Sequence, residues 1–284
     1  MSFIINSYRY SSGAGEALLL DDYSGAECAY SVRLLKSDYS GALVKIRRSS
    51  DSAEKDFYPD SNNELTTSSE DGAGTSLSSW ISTDSGYVVT WYDQSGNSAD
   101  ATMATAAKQP RIVNAGTIDT VNGKTAILGD GTDDSLRYSG FTFSDPITNF
   151  MVYDKVGGAG ALYFGLFTAA PSLALAYDFQ TTGIRAYRGT GVLTPDFGTN
   201  DQMLVSFMGG STGTDWDIYV DGSQVTNSGE DIGTLVPTQV SLFDRPNNQS
   251  RCNGYMQEYI VYDSDQFSNR SGIETNINDY YSIY

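Results

Sequence analysis

The sequence predicts an all-β fold, two antiparallel sheets packed face to face, and three observations carry that expectation. Strand and turn formers dominate, with 20 Tyr and 29 Gly among 284 residues. Strand-length apolar runs recur along the second half of the chain and are punctuated by Gly, Asn, Asp and Pro. A strand-beside-turn arrangement also repeats, at 130–134 before 135–138, at 217–225 and at 254–263. In the middle copy Trp216, Ile218 and Val220 share a face, and Asp221-Gly222 supplies the positive-φ pair that a tight hairpin requires. A single sandwich of this length is ordinary for an all-β chain.

Taken in order, residues 1–20 read as an amino-terminal attachment arm. An apolar head, Phe3-Ile4-Ile5, is tied to the body by Ser11-Ser12-Gly13-Ala14-Gly15, and either docks on a partner or adds an edge strand to the protein's own sheet. Residues 21–284 form the remaining domain. Cys28, Val32 and Leu35 recur at helical spacing, which predicts a helix over 26–36 with Asp21, Asp22 and Ser24 as cap residues. Residues 43–47 alternate as a strand, 49–64 are polar, 77–81 form a short apolar segment around Trp80, and 87–92 form a strand ended by the turn 93–97.

Beyond Pro110 the strand candidates are 124–129, 135–138, 149–154, 161–167, 173–179, 183–188, 202–208, 216–220, 239–243 and 254–262. Residues 157–160, Gly-Gly-Ala-Gly, read as a hairpin loop because the Lys-Ser/Thr ending of a phosphate loop is missing. A closing helix over 268–282 is expected from Ile273, Ile277 and Tyr280 or Tyr281 on one face, with Ser268 as its cap.

Charge and composition narrow the function. The formal net charge is −18 with 17 Lys plus Arg, so a nucleic-acid backbone or an anionic membrane surface is repelled. With no His, Ser-His-Asp and Cys-His catalysis and most zinc sites are excluded, and carboxylate chemistry is the main enzymatic option. Cys28 and Cys252 read as separate small apolar residues. The start lacks the basic and apolar regions of a secretory signal, and no run approaches the roughly 18 to 20 apolar residues of a membrane span, so a soluble, non-exported chain without membrane insertion is expected.

Glycoside cleavage needs two carboxyl groups flanking the scissile bond, and Asp93, Asp133, Asp134 and Glu258 are the candidates. Glu258 shares its strand face with Met256, Ile260 and Tyr262, so it is a buried acid, a charge at the sheet rim, or an Arg partner. A glycan site is expected where Trp91 and Tyr92 enter Asp93, Gln94, Ser95 and Asn97, because rings stack on sugar faces while carboxylates and amides bond hydroxyls. Trp91 and Tyr92 point to opposite faces, so at most one meets ligand while the other fills core. Asp130, Asp133 and Asp134 are candidate calcium ligands, with Asp93, Asn97 and Asp100 as a second oxygen cluster. Neither has EF-hand spacing, and turn Asp residues also cap backbone groups.

The three strand-beside-turn stretches resemble, in order and spacing, the LamG-like (concanavalin A-like) jelly-roll family. Residues 47–56 and 89–97, together with 273–281, are similar to the amino-terminal part of the arabinofuranosidase B catalytic domain (glycoside hydrolase family 54) and to LamG-type proteins of tailed bacteriophages. The resemblance covers roughly residues 20–284 and implies an antiparallel jelly-roll sandwich with a few short peripheral helices. It further implies a virion structural or adhesion protein, as capsid decoration or as part of a tail fibre or spike, made in the host cytoplasm. Capsid or tail proteins, host or environmental glycans and sister copies of the chain are the implied partners. Two alternatives follow from the same resemblance: a hydrolase of arabinose-containing polysaccharide, and a free carbohydrate-binding module. The isolated Cys28 and Cys252 depart from the adjacent cysteine pair that those arabinofuranosidases carry at the sugar site.

Overall fold

The computed structural model describes residues 17–142, 144–156, 163–168, 173–180, 183–189, 191–192, 201–210, 216–227, 236–246 and 251–284. Among these, antiparallel strands dominate, and every strand pairing is antiparallel, as with Thr148–Lys155 against Asn253–Tyr262. Most of the head of the attachment arm, and the 157–160 loop, lie outside the described residues. Leu19 and Leu20, the last residues of the expected arm, are buried in the core within the one-turn helix Leu19–Asp22.

The long strand Asn253–Tyr262 is the organising element, because nearly all of it is buried and it serves three neighbours. On one side it pairs with Thr148–Lys155, which continues outward through Met203–Gly209, Trp216–Val220 and Ser223–Asn227. On the other side its first half pairs with Ile127–Asp130 and its second half with Ala26–Ser31. From Ile127–Asp130 the sheet runs on through Arg111–Asn114, Gly86–Trp91 and Val44–Arg48 to Glu54–Phe57. A further set of strands joins Leu136–Ser139 to Gln239–Leu242, Tyr163–Phe167, Leu173–Gln180 and Gly183–Gly189.

Three readings of the sequence change here. Residues 26–31 form a strand, and the helix expected over 26–36 does not form. The 3.6-residue spacing of Cys28, Val32 and Leu35 loses to pairing with residues 258–262, which buries five of the six side chains at once. The polar stretch 49–64 contains the strand Glu54–Phe57, whose one buried side chain, Phe57, faces the core opposite Val44. The closing helix spans Arg270–Tyr281 with Asn269 at its N-cap, so Ser268 is not the cap. Its buried face, Ile273, Glu274, Ile277 and Tyr281, is close to the expected one.

Other expectations are met. Residues 44–48 and 86–91 are strands, and Asp221 and Gly222 both have positive φ (51° and 72°) at the hairpin tip. Cys28 and Cys252 are both buried and are not joined by a disulfide. The core is aromatic: Trp91, Tyr30, Tyr153, Tyr259, Tyr262 and Tyr281 are among the largest fully buried side chains. Burying such a ring contributes roughly 1.5–3 kcal/mol, provided a hydroxyl finds a partner. Tyr262 donates to the Tyr23 carbonyl at 2.8 Å, and Tyr30 donates to the Ala99 carbonyl.

Candidate functional site

The turn at 93–97 is a structural clamp, which corrects the glycan site expected there. Trp91 is fully buried against Tyr30, ring centroids 5.9 Å apart, and its Nε1 donates to the Ser31 carbonyl at 3.1 Å. Asp93 accepts four bonds, from the amides of Ala29 (2.8 Å), Ser95 (2.9 Å) and Ala99 (3.1 Å) and from the Ser95 hydroxyl (2.7 Å). Gln94 accepts from the Leu35 amide at 2.8 Å and donates to the Arg33 carbonyl at 2.9 Å. Asn97 donates to the carbonyls of Ala26 and Glu27 at 3.1 and 3.2 Å. Tyr92 is half-buried, and its hydroxyl donates to Asp56 at 2.6 Å. Together these side chains satisfy backbone groups of residues 26–35 that the ladder leaves over, a demand that any buried segment makes. Their bonds are spent on the fold, and those of the Asp93, Asn97 and Asp100 oxygen cluster with them, since Asp100 accepts from the Asp93 amide at 3.0 Å.

Glu258 is completely buried and is an Arg partner. Arg33 Nε and Nη2 donate to its two oxygens at 2.9 and 3.1 Å, and the Ser31 hydroxyl donates at 2.7 Å. Tyr281 Oη lies 3.1 Å from Oε2. Arg33 is covered in turn by the Tyr280 ring, 4.8 Å from its centroid. Burial works against the guanidinium charge and the facing carboxylate outweighs it, so the Arg33 pKa is raised. Glu258 is thus fully buried with its oxygens held in this network, and Asp93 is buried with its oxygens given to four donors.

The structure instead assembles a row of outward side chains from five neighbouring strands. Arg47 is the register partner of Tyr87, Tyr87 of Arg111, Arg111 of Leu128, and Leu128 of Tyr255 on the long central strand. Each is half-exposed, while the preceding or following residue (Ile46, Val88, Ile112, Ile127, Met256) is buried. That is the two-residue alternation of a sheet with one wet face. Four inter-strand steps of about 4.8 Å make the row roughly 19 Å long. The register shifts on both flanks of Tyr87, between Lys45 and Ile46 on one side and between Gly86 and Tyr87 on the other. Bulges of this kind re-aim a side chain. Gly86 permits the crowding, since a Cβ there would meet Ile46 Cγ2 at 2.9 Å.

A groove of about 560 Å³ lies over this row, lined by Arg47, Tyr87, Gln109, Arg111 and Leu128 and closed at one end by Asp130 and Asp134. Arg47 sits over the Tyr87 ring at 5.0 Å and donates to Gln109 (2.6 Å) and to the Ala106 carbonyl (3.1 Å). Arg111 is held by both oxygens of Asp119 at 2.8 and 3.1 Å, which raises its pKa. The groove therefore presents hydrogen-bond donors, acceptors and ring faces along a line. Sequence reading missed it because the row exists only after five strands pair; the legible signal is the outward phase of Arg47 and Tyr87 within strands already expected.

The Asp130, Asp133 and Asp134 carboxylate oxygens lie within 4.8 Å of one another. Asp130 Oδ1 accepts from the Thr132 and Asp133 amides (2.7 and 3.3 Å), and Asp134 Oδ2 from the Asp130 amide (2.9 Å). Two of the cluster's six carboxylate oxygens are thus spent on holding its own turn, and of the six to eight ligands that calcium takes, carbonyls or water would have to supply those beyond the remaining four. Burial, and then the charges of Asp130 and Asp133, push the Asp134 pKa from 3.8 up to about 7. A carboxyl whose folded pKa is raised binds its proton more tightly in the native state, so stability falls as pH rises from about 4 to about 7. Asp134→Asn keeps the acceptor for the Asp130 amide and removes the titration. The variant is expected to gain on the parent over that window and to be about 2 kcal/mol more stable at pH 8, half of what the shift alone would give because the turn is partly open to solvent. Urea unfolding at pH 4 and pH 8 checks this, and a gap independent of pH would contradict it.

Neither family models nor curated proteins match the chain. Solved structures do. A glycoside hydrolase family 54 α-L-arabinofuranosidase soaked with a cyclic sulfate inhibitor superposes with a TM-score of 0.65 and 16% identity, covering 89% of this chain and 62% of that one. An arabinofuranosidase complexed with arabinofuranosyl-α-1,2-xylobiose gives the same values. At this identity the likeness shows the fold alone: a mostly antiparallel β-sandwich with a few short helices. This chain spans about 62% of the arabinofuranosidase chains.

Proposed function

We propose that this chain is a glycan-binding sandwich that holds polysaccharide without cleaving it, carried on a tailed-phage particle as capsid decoration or as part of a tail fibre or spike. The observation that carries the glycan reading is the cross-strand row under the groove, where Tyr87 offers a ring face and Arg47, Gln109, Arg111 and Asp130 offer hydroxyl partners on a rigid sheet. Rigid sheet positions lower the ordering cost of binding. The engagement of Asp93 and Glu258 in the fold supports binding over hydrolysis. What supports the particle setting is the sequence resemblance to LamG-type phage proteins.

One observation favours hydrolysis as a second reading: Asp134, with its pKa pushed up to about 7, lines the groove beside Asp130. A carboxyl of raised pKa beside a second carboxyl in one cleft is the arrangement glycosidases use. A glycan array read beside a reducing-sugar release assay separates the two. Binding without release is the expected result; release that disappears in Asp134→Asn establishes the hydrolase, and silence in both assays removes the glycan reading altogether.

A further inference from the structure

Among the groove's cations Arg47 differs from Arg111 in one respect. Arg111 gives its Nε and Nη2 to the two oxygens of Asp119 and is paired with that carboxylate. Arg47 has no carboxylate within ion-pair distance among the described residues; its Nε and Nη2 donate to neutral oxygens, Gln109 Oε1 and the Ala106 carbonyl. A guanidinium carries five donors, so the Nη1 hydrogens and one on Nη2 remain. Those three define the bidentate edge that matches a carboxylate.

Arg47 is also held in place. Gln109, which positions it, is 3% exposed and is itself anchored by a bond from Nε2 to the Met103 carbonyl at 2.8 Å. The Tyr87 ring supports the guanidinium plane from below at 5.0 Å. A pre-oriented fork loses little freedom on binding. Glu54 is the register partner of Arg47 on the outer strand and shares its face, yet the two make no ion pair. A pre-oriented arginine without a salt bridge is unexpected in a chain of net charge −18, where acidic side chains outnumber basic ones 35 to 17. The acidic end of the groove does not quench it: the strands of Arg47 and Asp130 are three inter-strand steps apart, roughly 14 Å.

Resting on the glycan reading above, we propose that the groove selects acidic polysaccharide: the Arg47 end takes the carboxylate of a uronic-acid residue, and the Asp130 end takes hydroxyls of a sugar further along the same strand. The groove is polarised, so the chain of sugars enters it in one direction.

The test uses the full-length protein and oligomers of galacturonate, glucuronate and mannuronate, each beside its carboxyl-reduced neutral counterpart, titrated calorimetrically with the parent, Arg47→Gln and Arg47→Lys. At least one acidic member is expected to bind about tenfold more tightly than its reduced twin, the worth of one charge-assisted bidentate contact. That preference is expected to shrink at high salt, to vanish in Arg47→Gln, where the acidic oligomer and its neutral twin bind alike, and to be only partly kept in Arg47→Lys, which has the charge without the fork. Equal binding of the twins, or a preference that survives Arg47→Gln, overturns the proposal and leaves glycan binding standing. If none of these oligomers nor any array glycan binds, the glycan reading falls with it.

Discussion

Glu258→Gln is expected to lower folding stability by about 3–5 kcal/mol, the usual cost of stranding one partner of a buried ion pair. The loss is large because Arg33 stays behind with its charge, walled in by Tyr280 and Tyr281 and 7% exposed, while a Gln amide turns donors toward donors. Arg33→Met should cost a comparable amount for the mirror reason. The double variant Arg33→Met/Glu258→Met should recover most of the loss, since replacing a whole buried pair by apolar groups of similar volume is often near neutral. Equilibrium urea unfolding of the four proteins measures all three values. A Glu258→Gln variant as stable as the parent would mean that the carboxylate is not the partner on which Arg33 depends, and would reopen a catalytic role for it. The network also explains why the closing helix is part of the fold: Tyr281 brings its hydroxyl to Glu258, and its neighbour Tyr280 covers Arg33.

How much of this was legible in the sequence follows from the range of the interactions. The strands around residues 44–48, 86–91 and 253–262, and the Asp221-Gly222 hairpin, rest on alternation and on positive φ, which are local properties. The segment 26–31 misled because its apolar residues fit a helical period equally well, and the decision lay with a partner 227 residues away, where Ser31 Oγ meets Glu258. Trp91 and the turn that follows it looked like a sugar platform for the same reason. Aromatic, amide and carboxylate side chains serve a ligand or a backbone with identical chemistry, and only the presence of unpaired amides at Ala29, Leu35 and Ala99 decides which. The Asp130–Asp134 turn was visible, but the pressure on Asp134 comes from burial, which the sequence does not print.

The largest effect on binding is expected at Tyr87. It stands in the middle of the half of the row that underlies the groove, supports Arg47, and offers a ring that a sugar can share. Tyr87→Ala removes the ring and the platform of Arg47 together, each worth on the order of 1 kcal/mol or more, so affinity should drop at least tenfold. Tyr92→Phe, by contrast, removes one hydroxyl bond to Asp56 from a side chain outside the groove. Calorimetric titration of an array-selected oligosaccharide into the parent, Tyr87→Ala and Tyr92→Phe, each shown to be folded, is the most direct test of where this protein meets its ligand. Loss at Tyr87 with affinity within about twofold at Tyr92 is the expected result; loss at Tyr92 with Tyr87→Ala unaffected would contradict the assignment of the site to the cross-strand row.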